Sequence, residues 1–294
     1  MAKYSAEKHY KYFTKDKSGY YITKDIYNKR GMLLIRKGQK VSSKVMSKLM
    51  RLKNHDPEIL DDRHDIQGAV FDPDNKQRDI LTPTTKEFGA KMNISDYHIL
   101  EKPNKVLNTI IFESKTEPWW IYVNALGNYV DWLYTHSIDV AIISMMMAER
   151  LGYGDEELYN IGFGALLHDV GKLLVPKSIL EKPESLTDME RFCIRQHCEL
   201  GVSSLEGFNI PKEFMDMVMQ HHERLDGSGY PKGLKEDEIG LNAKIAMVAD
   251  AVDAITSYRP YRGAQNMDAA IKMLRDDKEK YPQELVSLLE KILK

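Results

Sequence analysis

Cysteine is scarce in this chain, and long apolar runs are missing. Cys193 and Cys198 are the only cysteines in 294 residues, too few for a disulfide framework. Five apart on one helix, they would point about 140° away from each other. They read as reduced thiols of a cytoplasmic protein. No stretch approaches the roughly 18 apolar residues of a membrane span. The most apolar one, Val140 to Ala148, is short and lies inside an amphipathic pattern. The opening Met1-Ala2-Lys3-Tyr4 lacks the apolar core of a secretion signal. No internal repeat or low-complexity tract is evident.

Charge is nearly balanced overall, at −2, but unevenly spread. Residues 1–50 hold 13 Lys or Arg against 3 Asp or Glu, a balance of +10 that leaves −12 for the remainder. Such a segment suits an acidic partner, nucleic acid or a membrane surface, or is a solvated domain beside an acidic one. Tyr20-Tyr21-Ile22 and Met32-Leu33-Leu34-Ile35 read as short strands bounded by Gly31 and Gly38. Ser42 or Ser43 can cap a helix carrying Val45, Met46, Leu49, Met50 and Leu52. Residues 1–55 are therefore expected to form a small basic α+β unit. Residues 56–104, punctuated by Pro57, Pro73, Pro83 and Pro103, read as a linker with short helical pieces. From Lys105 onward the periodicity is helical almost throughout. It predicts a helix over 129–151 ended by Gly152, a helix capped by Asp155, and a Thr187/Glu190 capping box. It also predicts two final helices split near Pro282. The fold class is mainly α: an all-α domain over 105–294 behind the small α+β unit.

Histidine is the informative residue type. All five histidines after residue 100 join two aspartates in one set: His136, His168-Asp169, His197, His221-His222 and Asp250. Imidazole and carboxylate are the ligands of zinc, iron and manganese. Seven such groups exceed the needs of one four-coordinate ion, and paired metals are a common device for cleaving phosphate esters. On a helix, Lys172 falls on the face of His168 and Asp169, where it could meet negative charge on a phosphoryl group or pair with Asp169. Neighbours on a regular helix diverge by about 100°, so His221 and His222 share an ion only at a helix end. The following Gly227, Gly229 and Pro231 supply that break, with Tyr230 on the resulting loop to stack on a base or meet a phosphate.

At these residues the chain resembles the HD-GYP family of metal-dependent phosphohydrolases. The matching segments are His136-Ser137, Leu167 to Lys172, His197 with Gly201, and His221 to Pro231. Ala249 to Ala254 and Arg259-Pro260-Tyr261-Arg262 follow in the expected order. The resemblance covers about residues 105–294. It implies an all-α domain that hydrolyses cyclic di-GMP to pGpG, GMP or both. It assigns His136, His168, Asp169 and Asp250 to one metal and His197, His221 and His222 to a second. Asp169 would bridge them, and a hydroxide between the metals would attack phosphorus. Lys172, Tyr230, Arg259 and Arg262 match substrate-contacting positions. Some relatives carry a Glu one turn before the first histidine and bind a third metal. Trp132 stands here instead, beside Asp131, so two divalent ions are expected: iron first, manganese as an alternative, with a ligand set that also suits zinc.

Two rival functions accompany this reading. One is the same chemistry on another cyclic dinucleotide, such as cyclic GMP-AMP. The other is a non-catalytic signalling protein that uses the Gly-Tyr-Pro surface or the basic N-terminus. The N-terminal unit is expected to regulate or recruit through an acidic surface of a protein partner or of the catalytic domain. A chain begun near Lys105 is expected to keep metals and activity, since every expected ligand lies beyond it. Oligomeric state, a homodimer among the options, stays open at this point.

Overall fold

Apolar periodicity after residue 100 closes into one helical body. The computed structural model describes residues 13–16, 19–23, 26–27, 33–35, 40–41, 88–94, 96–114, 117, 119–208, 210–257 and 263–294. Among the described residues five strands come first: β1 Phe13–Asp16, β2 Gly19–Ile22, β3 Ile26–Tyr27, β4 Leu33–Ile35 and β5 Lys40–Val41. They form an antiparallel sheet in the order β1-β2-β5 and a β3-β4 pair. Both expected strands are present. The helix expected after Ser42 lies outside the described residues. Strand β4 lies against the helix that starts at Trp120, and β5 against the helix that starts at His197.

The helices are α1 Glu101–Asn108, α2 Trp120–Tyr129, α3 Asp131–Arg150 and α4 Asp155–Leu166, then α5 Lys177–Leu180 and α6 Asp188–Arg195. They continue with α7 His197–Leu205, α8 Lys212–Gln220, α9 Leu241–Thr256, α10 Met267–Asp276 and α11 Gln283–Leu293. Helix α3 is the centre, packed by α4 and α9, and the run Val140 to Ala148 is buried throughout. A helix apolar on every side belongs in a core. Val130, extended at φ −141°, separates α2 from α3, so the expected helix over 129–151 starts two residues later. Gly152, at φ +90°, ends it as expected. Thr187 and Glu190 form the expected capping box, with the Glu190 carboxylate 2.7 Å from the Thr187 N–H. Helix α4 corrects one detail. Its N-cap is Gly154, whose N–H donates to Glu157 at 2.7 Å, while Asp155 lies in the first turn and pairs with Lys102 at 2.9 Å. Pro282 precedes α11 as expected.

The expected linker is the larger correction. Its described part is helical at 88–91 and 97–104, and Phe88, Met92, Ile94 and Leu100 are buried in the main core. The helical body therefore begins well before Lys105. Polar residues and prolines around these four side chains hide an apolar face too short to register as a periodic pattern.

Candidate metal centre

Helix ends set five of the seven side chains, while His136 and Asp250 project from within α3 and α9. Helix α4 stops at Leu166, and His168 and Asp169 occupy the turn that follows. The next residues, Val170–Leu174, form a 3₁₀ helix rather than the expected α-helical continuation. With three residues per turn, positions i and i+3 eclipse. Lys172 therefore stacks on Asp169, and Nζ donates to Oδ2 at 2.5 Å. Gly171 lets this turn press onto α7: a Cβ there would lie 1.9 Å from the His197 carbonyl oxygen. His221 caps α8 and His222 follows in the turn, with ring centroids 4.1 Å apart. The helix-end argument for this pair holds.

The structure brings all seven expected ligand residues together. Ligand atoms of His136, His168 and Asp250 lie within 4.8 Å of one another, and so do those of Asp169, His197, His221 and His222. Asp169 faces both groups. Its Oδ2 is 3.5 Å from His136 Nε2 and 3.4 Å from His168 Nε2. Its Oδ1 is 3.2 Å from His197 Nε2 and 3.7 Å from His221 Nε2. Asp250 lies 3.2 Å from His136 Nε2 and 3.5 Å from His222 Nδ1.

Ring nitrogens on the far side fix which atom faces inward. Nδ1 of His168 donates to the Ala165 carbonyl at 2.6 Å, that of His197 to Ile194 at 2.7 Å, and that of His221 to Met217 at 3.0 Å. Nδ1 of His136 donates to Asp253 Oδ2 at 2.5 Å. Each Nε2 is left as a lone pair aimed at the cluster. His197 and His221 thus set two lone pairs 3.2 Å apart, an arrangement a cation between them would relieve. His168 Nε2 and Asp169 Oδ1 are buried with no hydrogen-bond partner. These donors fit metal ions.

Electrostatics point the same way. Burial holds the His197 and His221 imidazoles below their ordinary pKa against the pull of Asp169. Burial, reinforced by His221, holds His222 well below it. Burial pushes Asp169 up, but Lys172 and His168 outweigh it and keep the carboxyl well below the usual range. Burial also opposes His136 and His222 at Asp250, and loses. Neutral imidazoles and ionised carboxylates are the protonation states metals bind.

Tyr230 sits beside this cluster, its ring centroid 4.7 Å from His222 and under the Arg195 guanidinium at 5.0 Å. Its loop is held by Glu223, fully buried, which accepts from the Lys232 N–H at 2.7 Å and the Leu234 N–H at 3.0 Å. A Cβ at Gly229 would come within 2.4 Å of the Glu223 and Arg224 backbone, so close approach, not unusual φ, demands glycine there. Gly227 is at φ +81°. Trp132 lies 6.5 Å from His136 between ring centroids, with Lys172 Nζ 5.8 Å from its centroid. Arg259 and Arg262 lie outside the described residues, as does the side chain of Asp131.

Sequence reasoning missed three supporting groups. Asp253 stands three residues after Asp250 on α9, a spacing that could have found it. Glu223 lies inside the quoted motif without an assigned role. Lys91 carries no local signal. It donates to Asp139 Oδ2 at 2.7 Å, to Ser257 Oγ at 2.7 Å and to Asp253 Oδ1. Burial pushes the Asp139 carboxyl up to about 7, against the pull of Lys91.

Comparison with known proteins gives the family. The HD domain family matches residues 121–285. A cyclic di-GMP phosphodiesterase of Pseudomonas aeruginosa is 34% identical over 179 residues, 60% of this chain and 40% of that protein. The cyclic di-GMP phosphodiesterase response regulator RpfG of Xanthomonas campestris is 42% identical over 136 residues, 45% of this chain and 35% of that protein. A 3'3'-cGAMP-specific phosphodiesterase of Vibrio cholerae is 31% identical over 218 residues, 72% of this chain and 50% of that protein. The chain spans half or less of the length of these relatives. With the family match over more than half its length and the His221-to-Pro231 segment at the cluster, the chain belongs to the HD domain family and to its HD-GYP branch.

Proposed function

We propose that this chain is a metal-dependent phosphodiesterase that opens cyclic di-GMP to pGpG, GMP or both. The observation that carries the reading is Asp169, whose two oxygens face two separate histidine groups in one buried cluster. His136, His168, Asp169 and Asp250 would hold one divalent ion; His197, His221 and His222 would hold another, with Asp169 available to both. Iron is the proposed native metal and manganese the alternative. Bound there, the metals supply activated water and neutralise phosphoryl charge. The protein's own groups do the rest. Main-chain carbonyls and Asp253 accept from the outer Nδ1–H groups and so aim each Nε2 at the cluster. Lys172 donates to a phosphoryl oxygen, where a fixed cation counts most as charge grows. Tyr230 stacks on a base, and Arg259 and Arg262 contact the nucleotide. The basic N-terminal unit docks an acidic protein surface. No helix among the described residues is long and apolar enough to cross a membrane, and the buried free thiols Cys193 and Cys198 suit the cytoplasm.

A second reading, hydrolysis of 3'3'-cGAMP, is favoured by the Vibrio cholerae relative, which matches 72% of this chain. Anaerobic loading with Fe(II) or Mn(II), followed by turnover of cyclic di-GMP, 3'3'-cGAMP, cyclic di-AMP and pGpG, separates them. The highest kcat/KM is expected for cyclic di-GMP. A higher value for 3'3'-cGAMP moves the assignment to the second reading. Metal binding with no turnover of any substrate makes the chain an interaction protein.

A further inference from the structure

We propose that Lys91, which lies ahead of the HD-domain match at 121–285, is a positioning residue for the metal ion at His136, acting through Asp253. The proposal rests on the metal reading above. Asp253 is fully buried on α9, and its two oxygens have different partners. Oδ2 accepts from His136 Nδ1 at 2.5 Å, and Oδ1 accepts from Lys91 Nζ. Lys91 also donates to Asp139 Oδ2 at 2.7 Å and to Ser257 Oγ at 2.7 Å. Asp139 is itself only 3% exposed. Two buried carboxylates thus meet on one ammonium, and a buried charge left unpaired is strongly destabilising. Without Lys91, Asp139 Oδ2 and Asp253 Oδ1 lose the ammonium that ties them together. Asp253 would then lose the geometry that aims His136.

The other ligand histidines with a settled outer contact do not share this dependence. His168, His197 and His221 donate to main-chain carbonyls, which need no counter-charge. Removing Lys91 should therefore weaken one ion and spare the other. Loss of an outer partner typically costs about 10–100-fold in metal affinity.

The test is anaerobic titration of the full chain with Mn²⁺, followed by electron paramagnetic resonance, in wild type and Lys91→Met. Wild type should bind two ions. Lys91→Met should bind one ion with wild-type affinity and the second about 10–100-fold more weakly. In a His136→Ala background, which keeps only the His197 side, Lys91→Met should change nothing. Lys91→Arg, which keeps the cation, should recover part of the loss. If Lys91→Met does not fold, Lys91→Gln is read by the same titration, with loss again expected at one ion. Unchanged affinity at both ions, or equal loss at both, overturns the role of Lys91. A wild-type chain that binds no Mn²⁺ overturns the metal reading beneath it.

Discussion

The two halves of the cluster are supported in different ways. His197 and His221 donate to carbonyls three or four residues upstream, so their aim comes with the helices that carry them. His136 is aimed by Asp253, 117 residues away, and Asp253 in turn meets Lys91, a further 162 residues distant in sequence. One half is aimed locally; in the other, His168 is held by its own turn through the Ala165 carbonyl, and His136 by the tertiary fold. A ligand set can therefore be complete in sequence while one of its histidines depends on a segment outside the motif.

Cutting that segment away should have the largest effect. A chain begun at Lys105 loses Phe88, Met92 and Leu100 from the core as well as Lys91. Buried side chains of this size are each worth roughly 2–5 kcal/mol, against a total stability of order 5–15 kcal/mol. Such a chain should show no cooperative thermal unfolding by circular dichroism, whereas one begun near residue 86 should. A folded, metal-binding chain from Lys105 would return the boundary to where the sequence pattern put it.

Substitutions within each half sharpen the comparison. His136→Ala should bind one ion and His221→Ala should bind one, both folded, with turnover lost in each. Metal analysis after desalting reads the count, and a variant that keeps two ions removes its histidine from the ligand set. Lys172→Ala should keep both ions and lose on the order of 10²–10³ in kcat. Unchanged kcat would leave Lys172 as a partner of Asp169 alone.

The smallest expected effect is on the metal-free protein as pH falls. Folded His197, His221 and His222 titrate below the ordinary imidazole value because burial disfavours their charged form. The unfolded chain therefore takes up protons first, from about pH 6.5 downward. Stability present above that pH should decline as pH falls from 6.5 toward the depressed folded values. A Tm of the metal-free protein that rises between pH 7 and 5.5 would show that these imidazoles are charged when folded.

The ligand residues were legible because histidine and aspartate in that order have few other uses. The break at His221-His222 was legible from Gly227, Gly229 and Pro231. The 3₁₀ turn after Asp169 was not, because nothing in Val170 to Leu174 distinguishes it from an α-helix. Its cause is the contact of Gly171 with α7, a tertiary event. Lys91 was hidden for the same reason: its partners lie 48 to 166 residues away. No local period announces the core role of Phe88 and Met92.

The central claim is that Asp169 is shared by two ions, and metal content of Asp169→Ala tests it most directly. Anaerobically loaded wild type should carry about two ions per chain. Folded Asp169→Ala should carry neither and turn over nothing. A variant that folds and keeps its full metal content would contradict the account.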